Sequence, residues 1–420
     1  MKVLFIFGGL PHYYNKILSK LNQVDGLEIT VVVPQENSKS FGKGVYQTKE
    51  GIDFKVIQLE EYKTVYKKPF FRNIAQTIKE EKPQAIVMGW PYFLGFYFSP
   101  KLRTLIKRLN IKLIHKDIPY KIPKYQNTIK YYASGEGFVD ETLQNTGKRT
   151  LGPLFYIKYK FLALLRKRYF NWVDAHVDYI EDAVEIFESY GVSSEKVFII
   201  YNSPDTDHLL EIKEKLLQNP PLLPSNPHRL IHVGRLVKWK KVHLLLESIH
   251  RLKSDFPNIE LVVVGNGPEE EGLKQQAKDL GIMDNVRFVG AVHDPKQLGR
   301  YLLDSSFYVL AGVGGLSIND AMCFDKAIIC SECDGTEKKL VKQGYNGYFF
   351  ENDNIDDLTQ QIKVLLTNPE NTRLMGQNSL NIIQKEINVH TVIRGYVAAF
   401  NFVNSDSTQI VYQELSTNKV

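Results

Sequence analysis

Cysteine is nearly missing from this 420-residue chain: there are three, all between Cys323 and Cys333. That excludes a disulfide framework spread over the fold and fits a reducing cytosol. Long apolar runs are missing too. The longest, Ile86 to Phe98, is interrupted by Gly89, Pro91 and Gly95 and stays short of the roughly 20 residues a membrane-crossing helix needs. The opening Met1-Lys2-Val3-Leu4-Phe5-Ile6-Phe7 is too short for the apolar core of a secretory leader. It runs into Gly8, Gly9 and Pro11 with no small-residue cleavage site, so it reads as a buried first strand. Neither an internal repeat nor a low-complexity tract is present. The expectation is a soluble, cytoplasmic protein.

What is present belongs to a folded chain: 43% apolar and 24% charged residues, with enough length for two cores. The net charge of +6 is unevenly placed. Residues 1–205 hold 30 Lys and Arg against 21 Asp and Glu, and the remainder 23 against 26. The first half is therefore expected to meet something anionic, with nucleic acid and a membrane surface as the two candidates.

Apolar strands alternate with amphipathic helices along the first half. Strands are predicted at Val3–Phe7, Leu27–Val33, Ala85–Met88 and Lys112–His115, and helices at Tyr13–Asn22, Phe71–Glu81 and Lys101–Leu109. A proline-rich break, Asn219 to Pro227, cannot continue a helix and reads as a stiff connector. Beyond it the alternation resumes, with strands predicted at Arg229–Val233, Glu260–Val264, Val286–Val289, Phe307–Leu310 and Ala327–Cys330. The fold class is thus α/β, two doubly wound parallel sheets in tandem. Ligands of such sheets bind beyond the carboxyl ends of the strands.

Three strand-end loops carry the chemistry. After Leu230-Ile231-His232-Val233 come Gly234, Arg235 and Lys240; Arg235 can fork onto two phosphate oxygens and Lys240 adds a point charge. After Leu261-Val262-Val263-Val264 come Gly265 and Gly267, which would let backbone approach a ligand. A G-x-G lacking its third glycine is weak support for a dinucleotide cofactor, and Gly8-Gly9 fails in the same way. The third loop, Ala311-Gly312-Val313-Gly314-Gly315-Leu316-Ser317, leads into a helix carrying Asp320. Its amides would cradle a diphosphate, and Asp320 would accept from ribose hydroxyls. The bland alternatives are a solvated basic loop, tight turns and a first-turn acid that suits the helix dipole.

In order and spacing, GRL-x3-K, VVVGNGP, VRFVGAV, GGLSINDAM and DGTEKKLVKQGYNGYFF resemble the nucleotide-binding half of retaining GT-B glycosyltransferases. The nearest group is the large bacterial E-x7-E one (glycosyl transferases group 1, glycosyltransferase family four). The resemblance spans Arg229 to Phe350, and Asn202 to Asp207 is similar to the segment that leads between domains. It implies a GT-B fold whose two Rossmann-like domains face a central cleft. Residues 1–205 would bind the acceptor, completed by a helix at 386–404; residues 206–385 would bind the nucleotide sugar, with 405–420 a polar tail. By the same resemblance Arg235 and Lys240 hold the diphosphate, and Asp320 takes the ribose. The amides of Gly314, Gly315, Leu316 and Ser317 face the phosphates and sugar. Gly290 and Ala291 meet the base, and Glu337 lies in a loop beyond the next strand. Gly8 and Gly9, read from the residues alone, are a donor-facing loop or equally a tight turn after the first strand. His115, at the end of Leu113-Ile114-His115, would face the sugar, with Asp117 a second choice.

One departure stands out. The first acid of the E-x7-E pair falls on Gly312, eight positions before Asp320, so no carboxylate is offered there to the donor sugar. Retention, front-face attack and independence of metal follow from the resemblance alone. Cys330 and Cys333 have the spacing of half a metal site but lack a second pair, and no cofactor beyond a UDP- or GDP-sugar co-substrate is expected. Gly147-Lys148-Arg149 and Tyr156 to Phe170 mix cations with aromatic and aliphatic residues. With Trp90 to Phe98, read as a loop, they suit a lipid interface. The expected activity is hexosyl transfer to a lipid-linked, glycolipid or oligosaccharide acceptor at the inner face of the cytoplasmic membrane. The rivals are a non-catalytic nucleotide-sugar-binding partner and a basic nucleic-acid-binding protein. The second half, with its excess of acids, argues against the latter, so no nucleic acid is expected as partner.

Overall fold

A computed structural model describes residues 1–36, 51–117, 122–135, 151–332, 335–405 and 409–414, and the structural statements below concern these. The chain forms two compact units. One takes the chain up to Tyr201 together with the segment from His390 onward; the other is Asn202–Val389.

In the first unit the strands are β1 (Lys2–Ile6), β2 (Glu28–Pro34), β3 (Lys55–Leu59), the hairpin β4 (Glu61–Lys63) and β5 (Pro69–Phe71), then β6 (Ala85–Met88), β7 (Lys112–Lys116), β8 (Ala175–Asp178) and β9 (Val197–Ile199). Seven of them make a parallel sheet in the order β3-β2-β1-β6-β7-β8-β9. Val3, Leu4, Phe5, Ala85, Ile86, Val87 and Met88 are wholly buried, which is why these strands read as unbroken apolar runs rather than alternating ones.

The second unit repeats the plan with β10 (Arg229–Val233), β11 (Glu260–Val264), β12 (Val286–Gly290), β13 (Phe307–Leu310), β14 (Ala327–Ser331) and β15 (Gly347–Phe350). Their order is β12-β11-β10-β13-β14-β15, all neighbours parallel. Counted within the unit this is 3-2-1-4-5-6, the dinucleotide-fold order, and the direction of winding reverses at β10. The loops after β10 and β13 therefore flank the switch point where ligands of such sheets bind.

Three predictions are corrected. Trp90 to Phe98 is not a loop throughout, because Phe93–Phe98 is helical, its buried Phe96 edge-on to Phe70 at 5.5 Å. Phe71 belongs to β5, and the helix predicted from it begins at Ile74. The proline-rich stretch lies inside the second unit, where the N–H groups of Leu222 and Leu223 both donate to an Asp304 carboxylate oxygen at 2.8 Å. The last helix, Val389–Val403, lays Tyr396 against Phe5 (5.8 Å) and bonds its hydroxyl to that of Tyr14, so it packs on the first unit.

Candidate functional site

In the second unit the loops after β10, β11 and β13 knit together at the carboxyl end of the sheet. Gly234 N–H donates to Val264 O at 3.0 Å and Leu236 N–H to Asn266 O at 2.8 Å. A Cβ on Gly265 would stand 1.9 Å from Gly234 O, and one on Gly267 2.3 Å from Leu236 O. Gly265 also has φ +145°, closed to most side chains. The expectation that these two glycines admit a ligand is corrected: the backbone they admit is the chain's own.

Lys240 ends a 3₁₀ turn, Lys238–Lys240, and is 9% exposed. Its ammonium donates to Val313 O at 2.8 Å and Gly314 O at 2.9 Å, and lies 3.4 Å from where a Cβ on Gly315 would sit. In return Val313 N–H donates to Trp239 O at 3.0 Å. A strap running both ways thus joins the β10 and β13 loops. Half-buried Arg235 lies on the same loop, its guanidinium 5.7 Å from the Trp239 ring centre. A Cβ on Gly312 would meet Trp239 O at 2.0 Å and the Lys240 carbonyl carbon at 2.7 Å. The place of the missing acid is filled by backbone.

Helix Ser317–Cys323 has seven residues, so its dipole is short and the two cations supply most of the local positive charge. Ser317 Oγ shares a hydrogen bond with Tyr308 OH at 2.8 Å. Asp320 is partly buried, and desolvation pushes its carboxyl up to about 7. Glu337 opens the short helix Glu337–Leu340 instead of lying in a loop, is 1% exposed and accepts from Gly335 N–H at 3.3 Å. Gly290 ends β12 with φ +82° and open space around its Cα, followed by exposed Ala291. Arg235, Lys240, Gly234, Gly312, Gly314, Gly315 and Ser317 are brought together, and Gly290, at the end of the edge strand β12, joins them through Gly265, whose N–H donates to Gly290 O at 2.8 Å.

Sequence reasoning missed His232. Fully buried, it bonds Nδ1 to Val309 O at 3.1 Å, so Nδ1 carries the proton and Nε2 is a bare acceptor. Nε2 has no partner and sits 3.4 Å from the Cβ position of Gly234. Burial, with the nearby Lys240 charge adding to it, lowers the imidazole to about 4. The signal was a polar residue inside the apolar run Leu230 to Val233.

Gly8 and Gly9 follow β1 in the first unit. There His115 is sealed in at 0% exposure, ringed by Phe93, Tyr169, Phe170 and Phe187. Its Nδ1 faces His176 Nδ1 at 3.3 Å, and its Nε2 lies 3.6 Å from an Asp117 carboxylate oxygen. The assignment of His115 as a group facing the donor sugar is corrected: the aromatic ring closes it off, and Asp117, 25% exposed in its side chain, is the group on the open side. Cys323 and Cys330 are buried; Cys333 and residues 147–149 lie outside the described residues. Among the described residues no cluster is placed to hold a metal, and no helix is long and apolar enough to cross a membrane.

Residues 213–381 match the family described as glycosyl transferases group 1. An uncharacterised glycosyltransferase of Methanocaldococcus jannaschii is 27% identical over 313 residues, covering 73% of this chain and 71% of that one. The lipopolysaccharide core biosynthesis glycosyltransferase LpsE of Rhizobium meliloti is 24% identical over 214 residues, 50% of this chain and 59% of its own. Among solved structures, Anabaena HepE in complex with UDP superposes with a TM-score of 0.63 at 17% identity, covering 96% of this chain and 100% of that one. The family match falls within the second unit, and the architecture is the two-domain α/β fold of the GT-B glycosyltransferases.

Proposed function

We propose that the chain transfers a hexose from a UDP- or GDP-sugar, with retention and without a metal, to a lipid-linked or glycan acceptor in the assembly of a cell-surface glycan. The observation that carries this reading is the Lys240 ammonium held by Val313 O and Gly314 O beside the switch point, on the loop that also bears Arg235. A departing diphosphate gathers negative charge, and two fixed cations in a partly dry pocket lower that cost without reorganising at the moment of reaction. Backbone packing holds the loops rigid, as positioning the sugar requires. Front-face attack then asks for little from a protein base.

The acceptor half of the reading rests on helix Pro153–Phe170. Leu154, Ile157, Phe161 and Leu164 are exposed at helical spacing with Lys158, Lys160, Lys167 and Arg168 exposed around them, a pattern suited to an anionic membrane surface on the cytoplasmic side. The names of relatives such as LpsE agree with a glycan acceptor.

A thermal-shift panel of UDP, GDP, ADP and their sugars tests the donor, since a ligand of the folded state alone raises the melting temperature. A rise with UDP or GDP that Arg235→Ala abolishes supports the reading; an undiminished rise in the variant overturns the diphosphate assignment. A second reading, binding without turnover, draws on one observation: no carboxylate fits at position 312. Donor consumption with candidate lipid acceptors separates the two.

A further inference from the structure

The first unit holds a cavity of about 340 Å³, within the range of small-molecule sites. It opens between the aromatic segment bearing Trp90, Phe93 and Tyr97 and the inner side of helix Pro153–Phe170, which contributes Leu162, Leu165 and Arg166. Most of the wall is apolar, and among the described residues its charged groups are Asp117 and Arg166.

Those charges are held differently. Asp117 leans towards His115, 3.6 Å from its Nε2. Arg166 donates one guanidinium nitrogen to Tyr132 OH at 2.9 Å, while Nη1 is buried with no hydrogen-bond partner. Among the described residues Arg166 pairs with no carboxylate; its neighbours are the hydroxyl and ring face of Tyr132 and the Tyr190 hydroxyl, all uncharged. A cation withdrawn from water with neither counter-charge nor full hydrogen bonding is costly, and an anion entering the cavity would relieve that cost. An apolar wall with one unsatisfied guanidinium is the complement of a hydrocarbon chain carrying a phosphate.

We infer that this cavity binds a lipid phosphate, its chain among Phe93, Tyr97, Leu162 and Leu165 and its headgroup on Arg166. The inference deepens the acceptor half of the proposed function and rests on it for its meaning, since Asp117 links the cavity to the carboxyl end of β7. The same helix turns its other side, with Ile157 and Phe161, to the exterior, where it can draw such a lipid from a bilayer.

Titrating the full chain with decyl phosphate, decanol and inorganic phosphate, by calorimetry and tryptophan fluorescence, tests this. Decyl phosphate should bind roughly tenfold or more tighter than decanol, the worth of a charge-assisted contact, and millimolar phosphate should not displace it. Arg166→Gln should erase the preference for the phosphate while decanol still binds, and Leu165→Trp should weaken both ligands by filling the cavity. If either variant failed to fold, the other together with the wild-type comparison would still decide. Equal binding of decyl phosphate and decanol, displacement by phosphate alone, or unchanged binding in folded variants would overturn the inference. UDP and GDP shifts measured on the same proteins keep the two ideas apart: their loss with lipid binding intact sinks the donor reading, and the reverse sinks only the cavity.

Discussion

The carbonyl oxygen of Trp239 stands 2.0 Å from where a Cβ on Gly312 would lie and at the same time accepts the Val313 N–H. Position 312, where the resemblance places an acid, is therefore closed by the chain's own backbone. Reinstating the acid with Gly312→Glu should not help. We expect a loss of about 1–3 kcal/mol or more in urea unfolding, since overpacking against backbone cannot be relieved by a rotamer change, and reduced donor binding. A stable Gly312→Glu protein with raised transfer would show that the site is open.

Arg235 and Lys240 should separate in their effects. Lys240→Met leaves the Val313 and Gly314 carbonyls without their donor and is expected to cost on the order of 2 kcal/mol of stability as well as nucleotide binding. Arg235→Ala, on a half-buried side chain that holds neither of those carbonyls, should lose the nucleotide shift with a smaller drop in the unfolding midpoint than Lys240→Met. Urea midpoints alongside thermal shifts check both at once.

His232 sets a pH dependence whose sign is fixed. Its folded-state value of about 4 lies below the ordinary 6.5, so between those values the unfolded chain binds a proton that the folded chain refuses. The stability it contributes is complete above pH 6.5 and is lost as pH falls towards 4. Between pH 7.5 and 5 the wild type should lose on the order of 2 kcal/mol more than His232→Gln in urea unfolding. Parallel profiles would mean the imidazole is not buried neutral. Asp320 acts in the opposite sense: with its carboxyl raised to about 7, its contribution is present at low pH and lost as pH rises from the ordinary carboxylate range to that value.

Two glycines with similar sequence settings should respond differently to alanine. Gly265→Ala puts a methyl 1.9 Å from Gly234 O and is expected to unfold the loop cluster, with a large drop in melting temperature. Gly290→Ala meets open space and bears only the cost of its +82° φ, about 1–2 kcal/mol. Similar melting temperatures for the two variants would contradict the close-packing role of Gly265.

Much of the second unit was legible because its strands are β-branched runs buried on both faces: Arg229–Val233, Glu260–Val264 and Phe307–Leu310 lie where expected. Helix Val389–Val403 was legible from its apolar periodicity. β8 was not, since Ala175-His176-Val177-Asp178 looks polar although all four are buried. His176 meets His115 from 61 residues away, and no local pattern announces such a pairing. Tyr308, bonded to Ser317, hid for the opposite reason, as an aromatic in a strand that reads simply as core. The cations of the site were visible in sequence, but the closure of position 312 by Trp239 was not, because steric exclusion depends on where two loops cross.

The chain returns to its first unit only after completing the second, when the helix beginning at Val389 lays Tyr396 and Phe400 against Phe5. During synthesis, Phe5 and the Tyr14 hydroxyl must therefore wait, lacking their eventual neighbours, while nearly 200 further residues emerge and settle between Asn202 and Val389. The ribosome thus delivers the core of the first unit unfinished, and its last piece arrives only after the whole second unit has been made.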